Sequence, residues 1–447
     1  MKESIIFQPE KYSPSAKTMH SAGTLAEWHD NVLSMSKGQP WILFALCFGF
    51  VGVLLKFARM DSFGVHIYKF TSQGKTTLAQ ICASLWGCGS DPSVDKNSYL
   101  CRWNNTANAL SAVCASHNDC LLGLDEFGTC PQKDAERFVY DIFGGKEKGR
   151  LTDKANLREQ RTWRVAIFST GEISVEAKIA QSGTARGGHF VRLLDIPGGE
   201  LIVGDDPATL AKDLKKKCSK YYGTAGPAFV QAFINFCNGE TTGAENYIAA
   251  LLSRAEPRYQ HMLPAGAAAA YSRVMDRFAL IDVAGLLAHD LLGWTDVSRE
   301  EITIAVETAC RAWLAGNDML MDSTRGVDAV CNFILKHRES RFLKPGDERQ
   351  QILNVAGFIV NIGGQDCYAF EKAGLKEACG DIDPKIVIYE LACRNLLCTN
   401  EHGKRTYKHT LPEGRRRLYT VKGTILTDDE DEQAVPVSPD DKINGDS

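Results

Sequence analysis

"TSQGKTTLAQ", residues 71–80, follows the alternating, β-branched "GVHIYKF" of residues 64–70 and opens a run with helical spacing. A Gly-Lys-Thr triplet set between a strand and a helix is the second half of a phosphate-binding loop. In such a loop backbone N–H groups wrap the β-phosphate, the lysine reaches the β- and γ-phosphates and the hydroxyl ligates Mg²⁺. The helix that follows points its positive end at the same phosphates. The expected nucleotide contacts are therefore Ser72, Gln73, Gly74, Lys75, Thr76 and Thr77, with Thr76 on the metal. The first glycine of the usual loop falls at position 69, where this chain has Lys69. That glycine serves a tight turn, which other backbone conformations can also make.

Working outward, Leu78, Ile81, Cys82, Leu85 and Trp86 recur at helical spacing and Gly87 offers a stop. "CLLGLDEFG" (120–128) is a short, nearly continuous apolar run ending in two acids, as expected of a strand covered on both faces of a parallel sheet. "WRVAIFSTGE" (163–172) and "HFVRLLDIP" (189–197) repeat the pattern. Strands alternating with helical stretches predict an α/β layer architecture, and ligands of such sheets bind where strand ends converge on one edge. Asp125 is the candidate to hold Mg²⁺, Glu126 to polarise an attacking water, and Ser169 and Thr170 to sense the γ-phosphate. ATP and Mg²⁺ are the expected ligands. Arg192 and Arg186 are the candidates to stabilise charge on the transferred phosphoryl group, from the same subunit or a neighbour.

The bulk composition sets limits. The chain has 447 residues, 44% hydrophobic and 24% charged, with a net charge of −4, so no global field draws it to nucleic acid. The fifteen cysteines form no C-x-x-C pair; they suit buried thiols in a reducing cytoplasm better than a zinc site. "WILFALCFGFVGVLL" (41–55) is shorter than the roughly twenty residues of a membrane helix and predicts a buried one, with no membrane association. The boundaries expected are a flexible N-terminus (1–22), a helical segment (23–60), an ATPase core (61–204), a helical subdomain (205–321), a winged-helix-like unit (322–427) and an acidic, disordered tail (428–447). Thr24 with Glu27, and Ser298 with Glu301, have the spacing of capping boxes.

"GVHIYKFTSQGKTTLAQICASLWG", "WNNTANALSAVCASHNDCLLGLDEFG", "VYDIFGGKEKGRL", "WRVAIFSTGEIS" and "GGHFVRLLDIP" together resemble domain-of-unknown-function family 927, from about Thr24 to Ile425. The resemblance implies a P-loop ATPase of RecA/AAA+-like core, helicase-like and associated with phages and plasmids, whose members sit beside or are fused to primase-type domains. It departs at Lys69, where the family motif has a glycine. Primase motifs are absent, so priming would need another chain as partner.

Two basic segments are candidate nucleic-acid contacts. "GGKEKGR" offers Lys146, Lys148 and Arg150 in a loop between the Asp125 and Ser169 strands, where a ring-shaped motor would track a single strand. "HGKRTYKHTLPEGRRRLY" offers Lys404, Arg405, Arg415, Arg416 and Arg417 beside tyrosines, as in a wing on duplex phosphates. A solvated turn and a protein-docking hairpin are the rival readings. "KDLKKKCSK" (212–220) reads as one solvated helix face. The expected function is a nucleic-acid-dependent ATPase, oligomeric and replication-associated. A nucleotide-operated switch or scaffold is the alternative, and a small-molecule kinase is less well supported.

Overall fold

The computed structural model describes residues 18–70, 74–130, 135–147, 160–180, 191–264, 269–316, 318–346, 354–380, 382–399, 405–411 and 414–426. The chain divides into two units, Met1–Pro264 with Ala270–Gly316, and Ala265–Ala269 with Asn317–Ser447.

The first unit opens with α1 (Leu25–Trp28), capped by the Thr24–Glu27 box expected from the sequence. The helix does not run on as one piece: His29–Leu33 is π-helical and Ser34–Ser36 a 3₁₀ turn. The apolar run becomes α2 (Pro40–Gly49) and the short α3 (Val51–Leu54). Trp41 to Gly49 are all buried, the mark of a helix enclosed on every side. Phe48 wedges between Phe63 and Phe168 of the sheet, with ring centroids 5.9 and 5.8 Å away. Among the described residues no helix is long and apolar enough to cross a membrane.

The α/β layer follows in order: β1 (Phe63–Tyr68), α4 (Lys75–Ser84), β2 (Cys101–Arg102), α5 (Ala107–Ser116), β3 (Cys120–Asp125), α6 (Ala135–Phe143), β4 (Val165–Gly171), α7 (Val175–Ala180) and β5 (Leu193–Pro197). The five strands form one parallel sheet in the order β2-β3-β4-β1-β5. β3 and β4 are buried along their whole length, which explains their unbroken apolar sequences. Because all strands run the same way, the segments after β1, β3 and β4 emerge on one edge. The register aligns two adjacent rows across the sheet. Arg102 and Asp125 pair, with Thr170 bonded to Asp125, in one row; Leu124, Ser169, His66 and Asp195 form the next. Successive residues of a strand face opposite sides, so the two rows serve opposite faces.

A helical region completes this unit: α8 (Pro207–Cys218), α9 (Ala225–Phe236), α10 (Thr241–Gln260), α11 (Ala269–Leu292) and α12 (Arg299–Gly316). Ser298 and Glu301 cap α12 reciprocally. All fifteen cysteines are free.

The second unit contains α13 (Asp318–His337), β6 (Phe342–Leu343), β7 (Gly357–Ile362), β8 (Gln365–Phe370), α14 (Lys372–Ala378), α15 (Pro384–Cys393), β9 (Tyr407–Leu411) and β10 (Gly414–Lys422). Its sheet has the order β6-β7-β8-β10-β9. Gly363 and Gly364, both at positive φ, make the two-residue turn between β7 and β8, a geometry glycine reaches without a Cβ clash. Asp383 accepts the Lys385 amide as N-cap of α15, and Pro384 takes the first helical position. Phe342, Phe370, Val387, Leu391 and Ile334 belong to the core that joins helices and sheet. The basic C-terminal segment forms the β9–β10 hairpin.

Candidate functional site

A cavity of about 580 Å³ lies on the edge of the parallel sheet where β1, β3 and β4 end. Its floor is Gly74, Lys75, Thr76 and Thr77, the first residues of α4. Gly74 has φ +93°, a left-handed conformation that lets the chain swing from the loop into the helix. Helix α4 therefore points its free N–H groups and positive end into the cavity. Asp125, Glu126, Gly128 and Thr129 form a second wall, and Thr170 to Ile173 a third.

The polar groups are specifically held. Lys75 donates to the carbonyl of Lys69, and the Lys69 ammonium donates in turn to the carbonyl of Gly199. Lys69 is not among the residues with positive φ, so its side chain costs no backbone strain, and the position does not require glycine here. Burial lowers the Lys75 pKa from its ordinary value, while nearby Glu172 and Asp125 oppose the shift. Thr170 Oγ1 donates to Asp125 Oδ1. Both are buried, so the bond fixes the carboxylate's orientation at the cavity wall. Glu126 has φ +59°, an uncommon conformation for a residue with a Cβ, which turns the chain sharply at the strand end. Its carboxylate lies 3.5 Å from Arg102 Nη1.

The cavity brings together Gly74, Lys75, Thr76, Thr77, Asp125, Glu126 and Thr170 of the residues expected from the sequence. Ser72 and Gln73 lie outside the described residues, as do Lys148, Arg150, Arg186 and Lys404. Ser169, expected beside Thr170, is not among the lining residues. Its hydroxyl is instead bonded to His66 Nδ1 at 2.8 Å and Trp103 Nε1 at 2.9 Å on the other face of the sheet. Strand alternation is the reason. Arg192 precedes β5, and its carbonyl accepts the amide of Gly64 at the start of β1. That is the opposite edge of the sheet from Lys75, and its guanidinium there stacks on Tyr140, 5.5 Å from the ring centroid.

Sequence reasoning missed Glu172 and Lys215, which both line the cavity. Lys215 sits on α8, in the segment read as one solvated helix face; Leu214 and Cys218 turn inward and carry the neighbouring Lys215 to the cavity rim. Lys146, of the first basic segment, forms an isolated antiparallel backbone bridge with Thr162, just before β4. On the hairpin, Arg415 is paired with Thr410, Arg416 with His409 and Arg417 with Lys408. Arg416 is tied to Glu371 at 2.7 Å, whereas Arg405 lies over Tyr389, 5.0 Å from its ring centroid.

The metal fit can be judged from donor chemistry. Thr76 and Asp125 offer a hydroxyl and a carboxylate in one cavity, hard oxygen donors of the kind Mg²⁺ takes when phosphates and water complete its shell. No group of three or more His, Cys, Asp or Glu able to hold a metal occurs among the described residues.

The solved structure described as "SCCmec type IV Cch - active helicase" is similar to this chain with a TM-score of 0.59 at 19% identity, over 92% of this chain and 72% of that one. At that identity the likeness shows a shared fold. NtrX from Brucella abortus aligns at 12% identity over 57% of this chain and 67% of that chain, with a TM-score of 0.23, too low to carry an argument. No curated protein matches the sequence. Residues 1–162, which hold the phosphate-loop segment and β3 but stop short of β4 and β5, match the family described as Domain of unknown function (DUF927), and this part of the chain carries that domain.

Proposed function

We propose that this protein is an ATP-hydrolysing P-loop motor of RecA/AAA+-like build that acts on nucleic acid, helicase-like, in the replication of a phage or plasmid. One observation carries the reading: the N-terminus of α4 with Lys75, and Asp125 oriented by Thr170, meet in one cavity at the end of a parallel sheet.

The roles follow from that geometry. Amides at the start of α4 receive the phosphates, and Lys75 exchanges the Lys69 carbonyl for a phosphate oxygen. Thr76 and Asp125 would hold Mg²⁺, which neutralises charge on the β- and γ-phosphates when bound. Thr170 keeps the Asp125 carboxylate turned to the cavity. Glu126 polarises the attacking water once it parts from Arg102. Lys215 adds a second cation at the rim. Arg192 lies on the far edge from its own cavity, so it serves a neighbouring copy's nucleotide if it serves any. Head-to-tail assembly into an oligomeric ring would supply that neighbour. Lys146 and the C-terminal hairpin, read as part of a winged-helix-like module, would contact nucleic acid, with a primase or other replication protein as partner.

The test is ATP turnover by the full chain with and without single-stranded DNA at low salt. Several-fold stimulation by DNA is expected. Turnover indifferent to DNA would replace the motor with an ATP-operated switch or scaffold, and no turnover would end both.

A further inference from the structure

The second polar row of the sheet has no part in the roles above, yet its Ser169 and His66 are fully enclosed. Trp103, Ser169 and His66 have 0% exposure. Their bonds run in one direction, and chemistry fixes which. Trp103 Nε1 can only donate, so Ser169 Oγ accepts from it at 2.9 Å. The Ile173 carbonyl can only accept, so His66 Nε2–H donates to it at 3.0 Å. A neutral imidazole with its proton on Nε2 presents Nδ1 as an acceptor, and the Ser169 hydroxyl donates to it at 2.8 Å. The series Trp103 to Ser169 to His66 to Ile173 carbonyl is thus closed, and His66 is held in a single tautomer.

The end of that series is the turn that forms the third wall of the cavity. His66 grips the turn twice. Besides the bond to Ile173, its ring lies against Gly171, where an added Cβ would come within 2.8 Å of His66 Cε1. The ring also packs on Phe127, with centroids 5.1 Å apart, and Trp103 packs on Phe127 at 4.9 Å. Phe127 directly follows Glu126. A single buried cluster therefore underlies both the turn that carries Glu126 and the turn that carries Glu172.

We propose that His66, oriented through Ser169 and Trp103, is a positioning residue that sets the spacing between the Glu126 turn and the Gly171–Ile173 turn across the cavity. The proposal rests on the ATPase reading of that cavity. Its physical content is that the walls are located from beneath, by a rigid polar series that never touches the nucleotide. Leaving any member unpaired in so buried a place is costly, which is what makes the arrangement stiff. The charged and titratable groups around His66 are Lys75 at the cavity floor, Asp195, its register partner on β5, and Tyr68, whose ring stacks on it with centroids 6.2 Å apart.

Two measurements on the full chain test this. In steady-state ATP turnover with direct Mg-ATP binding, Ser169→Ala and His66→Phe are expected to lower kcat about tenfold while Kd changes less than about twofold. His66→Gln, which keeps a donor for Ile173, recovers most of the rate. Unchanged kcat in both variants, or Kd weakening in step with kcat, overturns the proposal, the latter because it would put Ser169 on the nucleotide. In NMR of histidine-labelled protein, His66 is expected to carry its proton on Nε2 and to stay neutral from pH 7 to about pH 5. A proton on Nδ1, or a charged ring at pH 7, overturns it. The NMR result stands even if a variant fails to fold, and even if the wild type hydrolyses no ATP; in that last case it is the ATPase reading that has failed.

Discussion

Two neighbouring rows of one sheet have been put to different uses. The row of Arg102, Asp125 and Thr170 faces the cavity edge, while the row of Leu124, Ser169, His66 and Asp195 faces the other way. The first row holds the Asp125 side chain at the border of a cavity, with a hydroxyl to aim it and a guanidinium near its neighbour Glu126. In the second row Ser169 and His66 are fully buried and Asp195 partly so. Burial pushes the His66 pKa down to about 4, with Lys75 adding to the shift and the Ile173 carbonyl opposing it. Burial pushes Asp195 up to about 8, against the opposing amide of Glu176. Asp125 and Thr170 of the first row border the cavity, while Ser169 and His66 of the second lie beneath its walls. The same strand end, one residue apart, can do either, because its side chains alternate between environments.

The contrast breaks first where the ligand would sit. Lys75→Ala should lower ATP turnover at least about 100-fold, since the ammonium is the main positive charge in the cavity. Glu126→Gln should lower turnover by a similar factor, about 100-fold or more, yet leave Mg-ATP bound, as removal of a base without loss of a binding contact does. Equal loss of binding in Glu126→Gln would move that residue from chemistry to nucleotide capture.

Partial recovery on mixing two variants sharpens the difference between the two edges of the sheet. Arg192→Ala should be inactive alone and should regain activity when mixed with Lys75→Ala chains, because one copy then offers an intact cavity and the other an intact arginine. Turnover by the mixture no higher than the sum of its parts would leave Arg192 with its Tyr140 stacking alone.

The bracing row is read by stability against pH. His66 is lowered from its ordinary 6.5 to about 4, so the folded chain binds fewer protons than the unfolded one between these values. The stability it confers is present above pH 6.5 and is lost as the pH falls towards 4, on the order of 3 kcal/mol over the window. Asp195 acts with the opposite sign, losing stability as the pH rises towards 8. Denaturant unfolding of wild type and His66→Phe side by side isolates the histidine. The wild type should lose more stability than the variant between pH 6.5 and 4.5, and parallel curves would mean His66 is not buried neutral. Least of all, Lys215→Ala should raise KM for ATP about two- to fivefold with kcat little changed, as suits an exposed rim cation.

Much of this edge was legible in the sequence, for reasons that also mark the limits. "LLGLDE" told of a buried strand and put its two acids at the end, because a strand covered on both faces leaves polar residues only where it emerges. "QGKTT" announced the turn into α4. "FST" did not say which of Ser169 and Thr170 would face the cavity, since alternation has a period but no sign until a neighbouring strand sets the face. Arg192 was placeable in principle: a residue that precedes a parallel strand belongs to the far edge from one that follows a parallel strand. Lys215 was not, because α8's own pattern tells which side is buried but not that its rim meets the cavity. His66, Trp103 and Phe127 come from three separated segments, and only the register brings them together.

Whether the cavity at the end of the sheet takes a nucleotide is decided by Mg-ATP binding to the full chain, measured by calorimetry for the wild type, Glu126→Gln and Lys75→Ala. One nucleotide per chain is expected for wild type and Glu126→Gln with similar affinity, and at least about tenfold weaker binding for Lys75→Ala. Binding of equal strength in Lys75→Ala, or none in the wild type, would contradict this expectation.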